Sequence, residues 1–378
     1  MSTLASSPEP VVARAPSAAG PAVLSVVVPT FNEIGNIEPV VAALTDALSG
    51  IEWEVVFVDD DSPDGTAQRV REIGRVNPRV RCVQRIQRRG LSTAVIEGIL
   101  ASSAPFVAVM DGDLQHDPAL LPHMLDALQN GGLDIVVGSR YVAGGNVSDW
   151  NSTRASISRV ATRLARLVVT AELTDPMSGF FMLTRPAFER ASHRLSGQGF
   201  KILLDLFASA LPAFRFRELP YSFRDRHRGY SKLDSSVAWD YATLLLDKLL
   251  GRYIPVRFVL FAAVGGIGVA VHLAALRLGL SALSFRSAQA IATLVAMSTN
   301  FALNNAFTYR DRRLKGVKFL LGLLSFIAVC SVGAVANVGI ATAVFERRYA
   351  WWLSGLAGAA VGAAWNYTVS SNLTWRQK

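Results

Sequence analysis

The segment Phe106-Val-Ala-Val-Met-Asp-Gly-Asp113 decides the fold of the first part of this 378-residue chain. A continuous apolar run that ends in polar turn residues is typical of a strand covered on both faces of a parallel sheet. We therefore predict a strand over 106–111, and similar runs predict strands at 24–29, 55–60, 80–85 and 134–138. Helical patterns lie between them, near 36–49, 66–76, 91–102 and 118–130. Strands that alternate with helices predict an α/β domain built on a parallel sheet.

Polar residues follow the predicted strands at their carboxyl ends, which is where open parallel sheets bind ligands. They are Pro29-Thr-Phe-Asn-Glu33, Asp59-Asp-Asp61, Asp111-Gly-Asp113 and Gly138-Ser-Arg140. Four such groups at one edge predict a binding site there. The chain has no G-x-x-x-x-G-K-[ST] loop and no G-x-G-x-x-G after a strand, so a nucleotide phosphate would lack its usual backbone cradle.

Asp111, Asp113 and Gln115 present side-chain oxygens at alternating positions after the predicted strand. Oxygen ligands of this kind suit Mg²⁺ or Mn²⁺, hard ions that share their coordination with substrate phosphates. A bound metal would offset the repulsion between these carboxylates and a diphosphate. The alternative interpretation is a solvated turn that caps a helix, since Asp117-Pro118 has the sequence of a helix start.

The carboxylate cluster that ends the second predicted strand also has two interpretations. Asp60 is the best placed to accept hydrogen bonds from a ribose or a base, as acids do in dinucleotide-binding folds. Asp64-Gly65 has the pattern of a helix cap. Pro29 and Phe31 offer an apolar face for a base, although single residues of these types more often serve packing.

The last third of the chain has the composition of a membrane protein. Residues 1–255 carry 26 basic and 27 acidic side chains, whereas residues 256–378 carry 12 basic and 2 acidic ones. Four long segments without charged residues predict transmembrane helices, because about 20 apolar residues span a bilayer. The charge-free segments are 258–276, 287–309, 319–345 and 349–375, and the predicted helices are about 256–277, 287–309, 318–345 and 350–373. The net charge of +9 therefore indicates a bilayer, and not a nucleic acid, as the partner.

Basic residues are unevenly distributed among the loops of this third. Five of them fill the loop between the second and third predicted helices: Arg310, Arg312, Arg313, Lys315 and Lys318. The positive-inside rule places this loop, the N-terminal domain and the C-terminus in the cytoplasm. Residues 1–20 are rich in Ser, Ala and Pro and lack the apolar core of a signal peptide, so we expect a flexible tail.

A sequence repeat relates the predicted membrane helices to one another. Asn300-Phe-Ala-Leu-Asn-Asn-Ala-Phe-Thr-Tyr-Arg310 aligns with Asn366-Tyr-Thr-Val-Ser-Ser-Asn-Leu-Thr-Trp-Arg376, which predicts two helix pairs in a parallel repeat. Asparagine side chains are costly in lipid, so they either bond between helices or line a polar path for transport. The sequence leaves both interpretations open.

Two further segments have amphipathic patterns. Arg154, Arg159, Arg163 and Arg166 recur at helical spacing beside apolar residues, as in a helix that lies on an anionic membrane surface. A surface helix of the soluble core would show the same pattern. Residues 236–255 have a similar character and lead into the first predicted span, so we expect interfacial helices there.

The first part of the chain resembles glycosyltransferase family 2 of the GT-A fold, and within it the dolichol-phosphate (polyprenyl-phosphate) mannosyltransferases. The similarity runs in order through nearly all of residues 22–235. Its motifs are Val28-Pro-Thr-Phe-Asn-Glu33, Val58-Asp-Asp-Asp-Ser-Pro-Asp-Gly-Thr66, Arg89-Gly-Leu-Ser-Thr-Ala94, Met110-Asp-Gly-Asp-Leu-Gln-His116, Gly138-Ser-Arg140, Asp175-Pro-Met-Ser-Gly-Phe-Phe181, Gly199-Phe-Lys-Ile202, Asp225-Arg226 and Gly229-Tyr-Ser-Lys232. The chain departs from the family at Gly112, where alanine is usual, and at Phe31, where tyrosine is common. The last third is similar to the GtrA-like four-helix membrane domain.

The resemblance implies a role for each matching residue. Nucleotide contacts are implied for Pro29, Phe31, Glu33, Val58 and Asp60. The sugar nucleotide would be held by Asp111, Gly112 and Asp113, and the metal by Asp113 and Gln115. Contacts with the donor diphosphate or the acceptor phosphate are implied for Lys201, Arg226 and Lys232. The lipid phosphate would be received by Arg140, Arg154 and Ser158, and the expected catalytic residues are Asp111, Asp113 and Arg140.

The resemblance also implies an inverting, metal-dependent transfer of mannose from GDP-mannose to a polyprenyl (dolichyl) phosphate. The implied order is a tail (1–20), a GT-A domain with a mostly parallel sheet (21–235), interfacial helices (236–255) and the membrane domain (256–378). We expect a multi-pass protein of a bacterial or archaeal plasma membrane, in contact with membrane lipids and able to form homo-oligomers through its membrane domain. Two alternatives stay open: a polyprenyl-phosphate glucosyltransferase that uses UDP-glucose, and a membrane domain that translocates the lipid-linked sugar.

Overall fold

A computed structural model describes residues 21–144, 146–147, 164–166, 168–169, 171–197, 199, 201–223, 235–251 and 253–376. The chain forms two compact units, Met1–Leu249 and Leu250–Lys378. The boundary between them falls inside the segment that the sequence predicts to be interfacial, residues 236–255. Each unit has a hydrophobic core of its own.

A seven-stranded sheet forms the centre of the first unit. The described strands are, in chain order, β1 (Leu24–Thr30), β2 (Trp53–Asp59), β3 (Val80–Gln84), β4 (Phe106–Val109), β5 (Ile135–Ser139), β6 (Asn146–Val147), β7 (Phe181–Thr184), β8 (Phe216–Pro220) and β9 (Ser222–Phe223). β6 pairs with β9, and the other strands lie in the order β3-β2-β1-β4-β7-β5-β8. All pairs are parallel except the two that β7 makes, so the mostly parallel α/β fold is confirmed.

Helices cover both faces of this sheet, as its apolar strands require. They are α1 (Ile37–Ala47), α2 (Thr66–Val76), α3 (Leu91–Leu100), α4 (Leu121–Gly131), α5 (Arg185–Ser192), α6 (Ile202–Ser209) and α7 (Ser235–Leu250). In β1, Val26 and Val28 belong to one core with α1 and α4, whereas Val27 belongs to the other with α3. All three valines are fully buried, and burial of one such side chain contributes about 1.5–3 kcal/mol.

The antiparallel strand β7 differs from the prediction of a parallel sheet. It lies between β4 and β5, with Met182 opposite Ala108 on one side and Val136 on the other. Because β7 runs against its neighbours, it begins at the edge where they end. The N–H of Gly138 donates to the carbonyl of Phe180 (2.8 Å), which fixes the segment 175–180 at this edge.

The helix α7 packs against the core of the first unit. Leu244 and Leu245 are 1% and 7% exposed, and both belong to the same core as Val27. At these two positions, therefore, the apolar face of the predicted interfacial segment contacts protein.

Four long helices are described in the second unit: α8 (Val256–Gly279), α9 (Phe285–Leu303), α10 (Val317–Glu346) and α11 (Trp351–Leu373). Two segments are long and apolar enough to cross a membrane, Val256–Gly279 and Val317–Val344. A helix of 24 residues is about 36 Å long, against about 30 Å for the hydrocarbon core of a bilayer. These two helices support a membrane protein, and the crossing of all four stays a prediction.

Repeat-related contacts join these helices in pairs. Asn300 of α9 lies against Gly268 of α8, and a Cβ atom at that glycine would overlap the amide. Asn366 of α11 lies in the same way against Gly333 of α10. The two contacts fit the predicted parallel repeat, because small residues let helices approach closely in lipid.

Two further asparagines make hydrogen bonds close to the end of α9. Asn305 exchanges two bonds with the backbone of Leu314 (3.1 and 2.8 Å) and accepts a third from the Trp375 indole (3.1 Å). Asn304 accepts from the hydroxyl of Thr308 (2.7 Å). For these side chains the structure favours hydrogen bonding within the unit over the lining of a polar path.

Candidate active site

A cavity of about 330 Å³ opens at the carboxyl ends of β1, β2 and β4. Its lining residues are Pro29, Thr30, Phe31, Glu33, Asp60, Arg89, Leu91, Asp111, Gly112 and Asp113. Ligand pockets in proteins have volumes of roughly 300–1,000 Å³. The cavity lies at the edge where the sequence predicts a site, and it brings together residues from three of the predicted strand ends.

The carboxylate of Asp60 is held between two donors. Its Oδ1 accepts from Nη1 of Arg85 (2.6 Å), and its Oδ2 accepts from the N–H of Gly90 (2.7 Å). The side chain of Arg85 is only 2% exposed, so this ion pair is shielded from water. Each carboxylate oxygen can accept more than one bond, so Asp60 can still receive a ribose hydroxyl. The sequence does not reveal the part played by Arg85, because its partner lies 25 positions away.

Two more acids near this strand end, Asp59 and Asp64, shape the turn after β2. Asp59 is fully buried and accepts from the N–H of Ser62 (2.9 Å). Asp64 accepts from the N–H groups of Thr66 (3.0 Å) and Ile34 (3.2 Å). Gly65 is the N-cap residue of α2, and Asp64 bonds the first turn from the preceding position. These two carboxylates therefore serve the backbone instead of a ligand.

Phe31 lies in the cavity wall beneath an arginine. The guanidinium carbon of Arg89 is 4.3 Å from the centroid of the Phe31 ring, the geometry of a cation–π contact. Glu33, two residues further along, accepts from the side-chain amide of Asn36 (2.6 Å). An incoming base would meet the Phe31 ring and the Arg89 guanidinium together.

Val58 is the one predicted nucleotide contact of the described residues that the structure places in the core. Its side chain is fully buried between the sheet and α3, where a Cβ atom on Gly98 would meet it at 2.8 Å. Asp60 comes directly after the last residue of β2, Asp59, and lies in the cavity wall. Any contact of Val58 with a nucleotide is therefore limited to its backbone.

The motif Asp111-Gly-Asp113 forms a tight turn just after β4. Leu114 has a left-handed backbone (φ 61°), and Oδ1 of Asp113 accepts from the N–H of Gln115 (3.2 Å). The turn directs Asp111 and Asp113 into the cavity wall. At Gly112 an added Cβ atom would meet Val28 at 3.3 Å, so the alanine usual in the family would fit after a small adjustment.

The buried side chain of His116 stabilises this turn through a hydrogen bond to its backbone. Its Nδ1 accepts from the N–H of Asp111 (3.0 Å), and its ring stacks on Phe180 at a centroid distance of 5.0 Å. Burial lowers the pKa of His116 to about 4, so the imidazole is neutral at physiological pH. With Nδ1 as acceptor, the proton lies on Nε2, which is 3.8 Å from Oδ2 of Asp111. The sequence predicts no role for His116 beyond its place in the motif 110–116.

The side chains of this turn could supply part of the coordination of a metal ion, with the substrate supplying further ligands. Among the described residues, no group of three or more His, Cys, Asp or Glu side chains could hold a metal by itself. Magnesium in phosphate-transfer sites is commonly bound through one or two carboxylates, with the remaining positions filled by water and substrate phosphates. Asp111 and Asp113 in the cavity wall, with Gln115 in the same turn, match that requirement.

Arg140 follows β5 and is locked to Asp175 by two hydrogen bonds. Its Nε and Nη2 donate to the two carboxylate oxygens at 2.7 and 2.8 Å. Glu218 of β8 accepts from the N–H groups of Thr174 (2.9 Å) and Asp175 (3.0 Å) and so orients the carboxylate. Burial disfavours the charged guanidinium, but the bonds and charge of Asp175 outweigh burial and raise the pKa of Arg140. Asp175, 35 positions away, is a site residue to which the sequence assigned no role.

Lys201 precedes α6 and is half-buried close to these charges. Its Nζ donates to the carbonyl of Met177 (3.4 Å), in the segment that leads into β7. Burial, and then the charge of Arg140, lower the pKa of Lys201 to about 8, whereas Asp175 and Asp111 act in the opposite sense. A negatively charged ligand close to Lys201 would therefore raise its pKa and stabilise the charged ammonium.

Four predicted site residues lie outside the described residues. They are Arg154, Ser158, Arg226 and Lys232. Most of the predicted amphipathic helix around Arg154 and Arg163 lies there too. The assignments of these side chains stay predictions.

Both units match known families. Residues 25–191 match the family described as Glycosyl transferase family 2, and residues 260–375 match the GtrA/DPMS transmembrane domain. These matches confirm the two resemblances found in the sequence.

Individual relatives are similar over 62–93% of this chain. A dolichol-phosphate mannosyltransferase of Pyrococcus furiosus is 33% identical over 356 residues, which are 93% of this chain and 99% of the relative. A dolichol-phosphate mannosyltransferase of Mycosarcoma maydis is 39% identical over 246 residues, 62% of this chain and 83% of that protein. Among solved structures, glucosyl-3-phosphoglycerate synthase of Mycobacterium tuberculosis with Mn²⁺, UDP-glucose and phosphoglyceric acid superposes with a TM-score of 0.46 at 20% identity, over 61% of this chain and 80% of that one.

Proposed function

The chain belongs to the dolichol-phosphate mannosyltransferase family of glycosyltransferases, and on that premise we propose that it transfers mannose from GDP-mannose to a polyprenyl phosphate. The observation that carries the proposal is the similarity to the Pyrococcus furiosus relative, which includes both units of this chain. The cavity supports it, because four acidic side chains and the Phe31 ring line the space in which a nucleotide sugar would bind.

The proposed reaction is a single displacement at the sugar. An oxygen of the acceptor phosphate forms a bond to C1 of mannose while the bond between C1 and the GDP diphosphate breaks, which inverts the configuration at C1. The acceptor phosphate is already mostly ionised at neutral pH and needs no general base. GDP leaves, and the product is polyprenyl phosphate mannose.

Residues around the cavity bind and orient the donor in this proposal. Asp60 and Phe31 receive the nucleoside, and Asp111 with Asp113 anchors the sugar diphosphate. Lys201 stabilises the charge that develops on the leaving diphosphate. When bound by Asp113 and Gln115, Mg²⁺ or Mn²⁺ supplies further positive charge to that group.

The acceptor phosphate is received by Arg140 and by two residues outside the described part of the chain, Arg154 and Ser158. Arg226 and Lys232 add positive charge near the two phosphates. The bonds between Arg140 and Asp175 hold the guanidinium in one orientation, so little reorganisation is needed when a phosphate arrives. We place the reaction at the cytoplasmic face of the membrane, because the basic residues of the second unit favour that orientation.

A comparison of two donors tests the proposal. In membranes supplied with polyprenyl phosphate, radiolabelled GDP-mannose is expected to label the lipid at least about 100-fold faster than UDP-glucose, because a polar site rejects an analogue that leaves its groups unpaired. EDTA is expected to abolish labelling, and added Mg²⁺ or Mn²⁺ to restore it. The measurement is the rate at which label enters the organic phase.

Membranes without the protein give the background for this comparison. Labelling from UDP-glucose at an equal or higher rate would overturn the mannosyl assignment in favour of the glucosyltransferase alternative. Full activity in EDTA would show that the transfer does not require a divalent metal.

Lys201 is expected to make GDP binding dependent on pH. Its pKa is about 8 in the donor-free protein, and a bound diphosphate raises it, so the complex holds more protons than the free protein. Affinity should therefore be constant well below pH 8 and fall as pH rises through 8. Isothermal titration calorimetry at pH 8.5, in two buffers of different ionisation enthalpy, should show proton uptake on binding.

Lys201→Arg is the matched control, because arginine stays charged throughout this range. Proton uptake at pH 8.5 should disappear in this variant and in Lys201→Met. If uptake persists in both, another group titrates and Lys201 is not the source.

A further inference from the structure

A buried ion pair joins α7 to α6 on the side of the first unit that carries Lys201. Nζ of Lys248 lies 2.5 Å from Oδ1 of Asp205, and the two side chains are 10% and 0% exposed. Lys248 also donates to the carbonyl of Arg194 (2.9 Å) and to the hydroxyl of Ser209 (2.8 Å). All three donors of the ammonium are thus directed into the protein.

Asp205 in turn binds Ser196 and Gly197 through its carboxylate and Lys201 through its backbone. Its carboxylate accepts from the N–H groups of Ser196 (2.9 Å) and Gly197 (3.2 Å) and from the Ser196 hydroxyl (2.8 Å). Its own N–H donates to the carbonyl of Lys201 (3.1 Å). Gly197 (φ 61°) and Gly199 (φ 71°) have left-handed backbone. The Asp205 carboxylate therefore anchors Ser196 and Gly197, whereas the bond to Lys201 is the ordinary first backbone bond of α6 and does not depend on the side chain.

The charge of that aspartate depends on Lys248. A carboxylate that is fully buried is costly unless a cation compensates it. Without the ammonium, Asp205 would have to take up a proton or admit water. Either change weakens the bonds from Ser196 and Gly197, because a charged acceptor bonds more strongly than a neutral or hydrated one.

We propose that Lys248 is a positioning residue, whose ion pair with Asp205 fixes Ser196, Gly197 and the start of α6, and thereby places the Lys201 ammonium in the donor site. Lys248 touches neither substrate in this proposal and acts through Asp205. A displacement of about 1 Å in a charged group at a reaction site is enough to cost up to about 100-fold in rate. The expected loss of rate rests on the proposed function, whereas the expected loosening of the backbone at Ser196 and Gly197 does not.

The experiment uses the full chain and a double-mutant cycle. Lys248→Met, Lys201→Met and the double variant are assayed for kcat/KM with GDP-mannose, and Lys315→Met, at an exposed lysine of the second unit, is the matched control. Lys248→Met is expected to lower kcat/KM by about 10- to 100-fold in the wild-type background. In the Lys201→Met background it should lower kcat/KM by less than about threefold, because the group that Lys248 positions is already absent.

Amide hydrogen exchange gives a second readout that needs no substrate. Exchange at Ser196 and Gly197 is expected to quicken by at least about tenfold in Lys248→Met and to be unchanged in Lys315→Met. If Lys248→Met is recovered in low yield, Lys248→Gln, which removes the charge and keeps a donor, should give the same pattern.

Two results would overturn the proposal. One is unchanged exchange at Ser196 and Gly197 in a folded Lys248 variant. The other is a loss of kcat/KM that is equal in the wild-type and Lys201→Met backgrounds, since a general loss of structure has that signature. If GDP-mannose is not a donor at all, the wild-type assay fails while the exchange result still decides the structural claim.

Discussion

Asp113→Asn is expected to lower kcat for mannose transfer by about 10³-fold or more, the largest effect that we predict for a single side chain. Asparagine can still accept the bond from the N–H of Gln115 (3.2 Å), so the turn after β4 is retained while the negative charge is lost. The metal assigned to Asp113 contributes several kcal/mol of charge stabilisation, and each ~1.4 kcal/mol is a factor of ten in rate. Radiolabel transfer from GDP-mannose in membranes measures the effect.

Asp46→Asn is the control for the same change of charge, because Asp46 is exposed on α1. It should keep activity within about twofold of the wild type. The thermal midpoints of both variants should stay within a few degrees of the wild type. Full transfer activity in Asp113→Asn or in Asp113→Ala would refute the assignment of Asp113 as a metal and donor anchor.

Asp175→Ala is expected to destabilise the protein by about 3–5 kcal/mol and to abolish most of its activity. The guanidinium of Arg140, 10% exposed, would lose both charge-assisted bonds and remain buried without its counter-charge. For a unit of this size the midpoint of thermal unfolding should fall by about 10 °C. Scanning calorimetry of the full chain measures the shift.

Two further variants compare the stability contribution of the buried ion pair with that of an exposed ion pair. Arg88→Met breaks a bidentate pair with Glu97 (2.8 and 2.9 Å), but Arg88 is 61% exposed, so the cost should be below about 1 kcal/mol. The double variant Arg140→Met/Asp175→Leu should recover most of the lost stability and none of the activity. A midpoint for Asp175→Ala equal to that of the wild type would show that the ion pair does not stabilise the fold.

The strands and helices of the first unit that the sequence predicts correctly are those with strong local patterns. β1 and β2 are continuous apolar runs, and the helices that follow them have apolar residues at helical spacing. The turn at Asp64 could be predicted for the same reason, because a helix cap involves residues only a few positions apart. Such patterns indicate which segments are strands, and the helices between them indicate that these strands are parallel.

The strand β7 shows where this local information ends. Its residues, Phe181–Thr184, are as apolar as those of β4, yet they run antiparallel between β4 and β5. The direction of β7 follows from the path of the chain around the sheet. A short stretch of sequence does not determine that path. That reversal brings Asp175 and Met177 to the edge that holds the cavity, where they bind Arg140 and Lys201.

The amino-acid sequence alone determined the family, the mostly parallel α/β fold and the carboxylates that line the cavity, because family motifs and apolar runs are local in the chain. Only the tertiary structure decided which charges are paired. Asp60 meets Arg85, Asp175 meets Arg140, and Asp205 meets Lys248, each across a turn of the chain or between separate elements. The physical reason is that a buried charge needs a counter-charge within a few ångströms, and the fold, not the order of residues, determines what lies within that distance.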